Sequence, residues 1–564
     1  MTLPQVGRRA VLAGGLILPG IGLSGRLAAA EGWPPATPVT AAALVETAGG
    51  TVEGIARGSL REFKGIPYAD APTGPHRFGP PPPLTPWTGV RRAIGFGPPC
   101  PVPPALPVDR STSVFAWLVP VGPAIDASED CLRLNIWAPR EPGAGRLPVM
   151  VWLHAGGFRS GAAHAYAAAS GEVIAARGEA VVVSLNHRIG PLGHLDLSQA
   201  GGADLAESGN AGMLDIIAAL GWVRDNIAAF GGDPGNVTLF GQSGGGYKIS
   251  VLLAMPAARG LFHRAIIQSG ARLRVHDRAT TARQTQCVLT AARLLRGESA
   301  VAALRAMPAD RFLALAAQAM ASPEADAIAT PSWAASGTWF EPVAGTAALP
   351  FQPGTAEALR AAAAIPIICG SNRNEISPSG NDPALEAIGW AEVAARLAPA
   401  LGEATDTAIA AARAAFPEAR PVAVLGTLLS RDFRLQALEF GRIAAAAGNA
   451  AVFNYDFAWQ TPLFGGRPRA FHAAEVGFVF DTLALTGRLA GNGDAALARE
   501  MSARWVAFAR SGDPALAWAA PWPAFGAQAP VTMVFDTPPR AGPPADLALA
   551  EVLMTNRKQG GGIT

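Results

Sequence analysis

The sequence predicts an α/β fold built on a largely parallel, doubly wound central sheet, and three observations carry that expectation. Short apolar runs rich in β-branched or aromatic residues, such as 180–185 and 452–457, alternate with longer stretches of helical spacing, such as 214–230. Runs such as 148–153 are apolar on consecutive residues, as in strands covered on both faces. Half of the 564 residues are hydrophobic and only 16% are charged, so a large core is readily built and bulk disorder is disfavoured.

From the amino terminus, residues 1–30 read as an export signal that is removed. Arg8-Arg9 precede an apolar run at 10–23, and Ala28-Ala29-Ala30 offer a small-residue cleavage site before Glu31. The paired arginines resemble a bacterial twin-arginine signal, and the run is too short and too broken by Pro19 and glycines for a membrane anchor. An exported protein, periplasmic or secreted, is expected, with no stable membrane insertion after signal removal. Without this segment the chain carries 42 basic against 43 acidic residues, a net charge of −1. That balance gives no general case for binding nucleic acid or an anionic membrane surface.

Residues 31–564 are expected to form one domain. Short strands are expected within 45–60, then a Pro/Gly-rich loop at 63–107 packed over the body. Further strands are expected at 132–137, 148–153, 180–185, 237–240, 265–268, 365–369, 452–457 and 531–535. Ala-rich stretches at 281–319 and 384–415 read as helices beside the core that line the entrance to a site. Residues 558–564 read as a loose tail, and nothing in the sequence sets an oligomeric state. Among the four cysteines, Cys100 and Cys131 flank a Pro-rich loop that a bond between them would close, whereas Cys287 and Cys369 read as buried thiols. No CxxC or HExxH spacing occurs, so neither a metal site nor a cofactor is expected.

The chemistry centres on Val237-Thr238-Leu239-Phe240-Gly241-Gln242-Ser243-Gly244-Gly245-Gly246, a strand running through G-x-S-x-G into a helix. Small flanking residues let the chain turn tightly and hold the serine oxygen out at a strand end, which makes Ser243 a candidate nucleophile. A plain glycine-rich turn is the bland alternative. A phosphate loop fits less well, because Lys248 is followed by Ile249 and not by Ser or Thr.

A serine hydroxyl needs a base, and the base needs an orienting acid. In the order serine, acid, histidine, the bases open are His263, His276 and His472. His472 follows a strand and a glycine loop, which places it at the carboxyl edge of the sheet where open α/β folds bind ligands. Glu375 follows the strand candidate at 365–369, with Asp382 as the fallback acid. The loop His154-Ala155-Gly156-Gly157 follows another strand, and with Gly244 its glycines could supply backbone donors for an oxyanion.

The chain resembles the type-B carboxylesterases of the α/β-hydrolase fold, a family that includes cholinesterases and bacterial para-nitrobenzyl-type esterases. The similarity rests on Phe63-Lys64-Gly65-Ile66-Pro67-Tyr68-Ala69, on Ser128-Glu129-Asp130-Cys131-Leu132-Arg133-Leu134-Asn135, on the serine turn, on Asn374-Glu375 and on Phe471-His472-Ala473-Ala474-Glu475. The resemblance implies an ester hydrolase for small-molecule substrates, with Ser243 as nucleophile, Glu375 as acid and His472 as base. It implies Gly156, Gly157 and Gly244 as oxyanion donors, Ser269 as a buried residue supporting the acid, and a Cys100–Cys131 disulfide. A non-catalytic interaction protein on the same fold is the alternative, and hydrolysis of amide, thioester or lipid substrates another.

Ala155 stands where the family has a glycine, which restricts the backbone there. Gln242 and Gly244 stand where the cholinesterase branch commonly has Glu and Ala. Arg159, Arg272 and Arg274 read first as solvated surface residues and second as a receptor for an acidic acyl group.

Overall fold

The computed structural model describes residues 41–103, 123–141, 143, 145–295, 297–326, 328, 340–486 and 494–559. The export signal read in residues 1–30 lies outside them. The described strands are β1 (Ala41–Thr47), β2 (Gly50–Arg57), β3 (Leu60–Pro67), β4 (Val90–Arg92), β5 (Arg133–Pro139), β6 (Leu147–Leu153), β7 (Val181–Leu185), β8 (Gly232–Gln242), β9 (Arg264–Gln268), β10 (Ile367–Asn372), β11 (Val452–Phe457), β12 (Thr532–Phe535) and β13 (Arg540–Gly542). They form one sheet in the order β1-β2-β3-β5-β7-β6-β8-β9-β10-β11-β12-β13, with β4 beside β2. From β7 to β12 every neighbouring pair is parallel, while β1, β2, β3, β5 and β13 join antiparallel at the two flanks. This is the α/β-hydrolase arrangement the sequence implies.

The central strands β6, β7, β10 and β11 are buried almost along their whole length because each face meets its own core. On β6, Val149, Val151 and Leu153 enter one cluster, while Met150 and Trp152 enter the other. On β11, Phe453, Tyr455 and Phe457 join that second, aromatic cluster with Trp505, Trp522 and Phe535. The two-residue period of a strand thus sorts successive side chains to opposite faces. The parallel register brings Leu153 opposite Gly241, Gln242 opposite Gln268, and Asn372 opposite Phe457. The loops that follow these positions therefore open at one edge.

The expected loop at 63–107 holds the end of β3 and all of β4. β4 is three exposed residues, Val90-Arg91-Arg92, with no apolar signal to mark it. The helical segment at 214–230 resolves into Ala211–Asn226 and a 3₁₀ turn, Ile227–Phe230. Cys100 and Cys131, the pair that the resemblance joins by a disulfide, are both buried and stand here as thiols. A side-chain hydrogen bond with Cys100, followed by burial, pushes the Cys131 thiol well up.

Candidate active site

Ser243 sits between the end of β8 and the helix Gly244–Ala254, at φ 55° and ψ −119°. That left-handed φ is rare for a residue bearing Cβ and stores backbone strain. It is over-determined by the N–H of Ser243, which donates to the Gln268 carbonyl at 2.7 Å, and by the Ser243 carbonyl, which accepts from Tyr247 N–H at 3.0 Å. Glycines make the turn possible. A Cβ on Gly245 would lie 2.0 Å from the Leu153 carbonyl oxygen, and one on Gly244 would lie 2.2 Å from the Gly157 nitrogen. The elbow is thus pressed directly onto the end of β6 and the loop that follows it.

Glu375 and His472 meet across the loops after β10 and β11. His472 Nδ1 donates to Glu375 Oε2 at 2.6 Å, and both side chains are buried. The other carboxylate oxygen accepts from Asn372 N–H at 2.7 Å. Backbone bonds fasten the two loops: His472 N–H donates to the Glu375 carbonyl and Asn374 N–H to the Ala470 carbonyl. On its far side, His472 Nε2 lies 3.1 Å from the side-chain nitrogen of Gln242. Among the described residues, Ser243 Oγ makes no hydrogen bond to His472. Catalytic hydrogen bonds are often loose before substrate binds. Asp382 is elsewhere, capping the 3₁₀ turn Pro383–Ala387 through Ala384 N–H.

In the loop after β6, the left-handed angles fall on Gly156 (φ 100°) and Gly157 (φ 65°), whereas Ala155 is not among the residues with positive φ. The methyl group at 155 therefore adds no backbone strain of that kind. Among the described residues none accepts from the N–H groups of Gly156, Gly157 or Gly244. Ser269 is fully buried at φ 49°, and its N–H donates to the Gly370 carbonyl at 2.8 Å. Its hydroxyl has no partner among the described residues and does not hold Glu375.

Several residues around this site carry no motif signal of their own. Glu475 accepts from Asn372 Nδ2 at 2.7 Å and from Gln268 Nε2 at 3.3 Å. Burial, and then the charge of Glu375, pushes its carboxyl up to about 7. Phe433, on the helix Arg431–Ala446, stacks obliquely on His472 with ring centres 5.1 Å apart. That helix lies outside both Ala-rich stretches expected to line the site.

Arg272 is not a solvated surface residue. It is buried, bonds Glu341 at 2.5 Å and lies 4.9 Å over the Tyr247 ring. Burial pushes the half-buried Arg159 guanidinium down to about 10, against the pull of Glu341.

The chain matches the carboxylesterase family over residues 41–387 and 412–549. It is 35% identical over 513 residues to the para-nitrobenzyl esterase of Bacillus subtilis, covering 88% of this chain and 95% of that protein. Against the phenmedipham hydrolase of Pseudarthrobacter oxydans it is 33% identical, covering 87% and 94%. Among solved structures, a carboxylesterase of Geobacillus stearothermophilus superposes with a TM-score of 0.72 at 34% identity, over 89% of this chain and 97% of that one. An esterase of Clostridium hathewayi, described as hydrolysing aliphatic aromatic polyesters, gives 0.77 at 31% identity, over 92% and 99%.

Proposed function

We propose the following of a chain that belongs to the carboxylesterase family and is a carboxylic-ester hydrolase: Ser243 opens the ester through a covalent acyl-enzyme. The observation that carries this reading is the buried 2.6 Å bond from His472 Nδ1 to Glu375, beside the strained serine turn. With its proton on Nδ1, the imidazole keeps a lone pair on Nε2 to take the proton of Ser243 as the oxygen attacks the carbonyl. Glu375 holds that tautomer and stabilises the imidazolium. The imidazolium then protonates the leaving alcohol, and water repeats the sequence to release the acid. The oxyanion of each tetrahedral intermediate accepts from the N–H groups of Gly156, Gly157 and Gly244.

Substrates on this reading are small esters with an uncharged acyl group, because the charge of Arg272 is spent on Glu341. Export is read from residues 1–30 alone, and fusing them to a reporter and locating it tests that reading.

The catalytic assignment is tested with Ser243→Ala and Glu375→Gln. Ser243→Ala is expected to fold normally and to lose at least ~10³-fold in turnover of a simple aryl ester. Glu375→Gln is expected to lose on the order of 10³- to 10⁴-fold through the wrong tautomer. A fluorophosphonate should label Ser243 and no other residue, read by mass spectrometry. A Ser243→Ala variant that retains wild-type turnover refutes the mechanism, and a folded wild-type protein that neither labels nor turns over esters would be an interaction protein.

A further inference from the structure

Lys248 stands five residues after Ser243 on the helix Gly244–Ala254, fully enclosed. Its ammonium donates to the His154 carbonyl at 2.8 Å, and among the described residues no carboxylate lies within ion-pair distance of it. Burial alone pushes it down to about 7. The titratable groups that face it are the imidazoles of His154, His187 and His194, each pushed down by burial first and held down further by this ammonium. An enclosed lysine with only a carbonyl for a partner is costly, and a methionine would fill the same space without that cost. Such uncompensated groups concentrate where function needs them.

What the ammonium holds is the first peptide of the loop after β6. A trans peptide is planar, so fixing the carbonyl of one residue points the N–H of the next in the opposite direction. Lys248 takes the His154 carbonyl. The His154 ring, stacked on His187 at 4.9 Å, donates from Nδ1 to the Ala155 carbonyl at 2.8 Å, which turns the Gly156 N–H the other way. The Gly156 carbonyl accepts from the N–H groups of Arg159 at 3.2 Å and Ser160 at 3.1 Å and from the Ser160 hydroxyl at 3.3 Å, which sets the Gly157 N–H. Three successive carbonyls are thus tied down in a loop whose two glycines have no Cβ to stiffen them. Lys248 is the side chain that ties this series to the helix bearing Gly244.

We propose that Lys248 is a positioning residue for the oxyanion donors: it clamps the loop 154–157 to the elbow helix and fixes the angle at which the N–H groups of Gly156, Gly157 and Gly244 converge. This rests on the reading that those three groups receive the oxyanion.

The test compares Lys248→Met with the wild type and with Ser243→Ala, counting active sites by fluorophosphonate stoichiometry. Per labelled site, kcat for a neutral aryl ester is expected to fall roughly 10- to 100-fold, short of the loss of a whole donor, while KM stays within about threefold. Affinity for a trifluoromethyl ketone, whose adduct places an oxyanion on the donors, should fall by the same factor as kcat. Lys248→Gln, a shorter neutral donor, should fall between Met and wild type. Unchanged kcat and ketone affinity in folded Lys248→Met overturns the inference, and Lys248→Leu decides in the same way if Met does not fold. If Ser243→Ala stays active, the mechanism itself has failed. If Ser243→Ala is dead and Lys248→Met is fully active, only the clamp has.

Discussion

The side-chain amide of Gln242 donates to Nε2 of His472 across 3.1 Å, the ring nitrogen opposite the one that Glu375 holds. An N–H on that side favours the neutral ring with its proton on Nδ1, the tautomer a general base requires. The amide also competes with Ser243 for the same lone pair. Its own oxygen is buried with no partner among the described residues, which leaves the amide free to give way when substrate arrives.

Replacing this amide with a carboxylate puts a second negative charge against the imidazole. Gln242→Glu is therefore expected to raise the acidic limb of the kcat/KM profile, which reports the base in the free enzyme, by about one pH unit or more. A limb that stays within about 0.3 units would mean that residue 242 does not face the ring in solution.

Lys248 predicts a pH-dependent stability. Its folded pKa, about 7, lies below an unfolded value of about 10.4. Below pH 7 both states carry the proton, and the cost of burying the ammonium is fully present. Between pH 7 and about 10.4 the unfolded chain binds more protons, so the native state gains stability as pH rises. Lys248→Met should accordingly stabilise the protein on the order of 4 kcal/mol near pH 6, less the lost hydrogen bond, and by much less near pH 10. Urea midpoints at the two pH values measure this, and an equal gain at both would mean that the lysine is not forced neutral by the fold.

The Arg272–Glu341 pair is enclosed on both sides. Removing one partner strands the other charge, so Glu341→Leu should cost about 3–5 kcal/mol in urea unfolding. With the pair intact, the wild type should prefer a neutral ester over its carboxylate-bearing analogue by at least about tenfold in kcat/KM. The reverse preference would make Arg159 an acid-binding group.

Cys100 and Cys131 lie side by side as thiols. In protein recovered from an oxidising compartment we expect alkylation under denaturing conditions to find two thiols, and in protein made in reducing cytosol four. The bond would close the loop between residues 100 and 131 and add about 3–4 kcal/mol by the chain-entropy estimate. Four thiols in the exported protein would rule it out.

Much of the fold and part of the site were legible in the sequence for reasons that particular residues make plain. Strand β11 appears with the bounds expected, because Val452–Phe457 sets Phe453, Tyr455 and Phe457 at the two-residue period of a strand. Ser243, Glu375 and His472 were legible because each follows a strand that ends at the same edge. Glu475 and Gln242 were quoted only within motifs, because their roles depend on partners such as Asn372 and His472, 103 and 230 residues away. Lys248 enters the sequence reading only as a poor fit to a phosphate loop, because its enclosure comes from tertiary packing. Strand β4 is too short and too polar to register against the prolines around it.

The contact between the elbow and the loop after β6 also constrains which substitutions this chain accepts. A side chain at position 244 would meet the nitrogen, the oxygen and the Cα of Gly157, all backbone atoms that cannot swing aside. Alanine at position 244 therefore requires the loop to draw back first, and Gly244→Ala alone is expected to break the site. Directed evolution from this sequence should find position 244 closed and gain its variety from the side chains facing His472, Gln242 and Phe433.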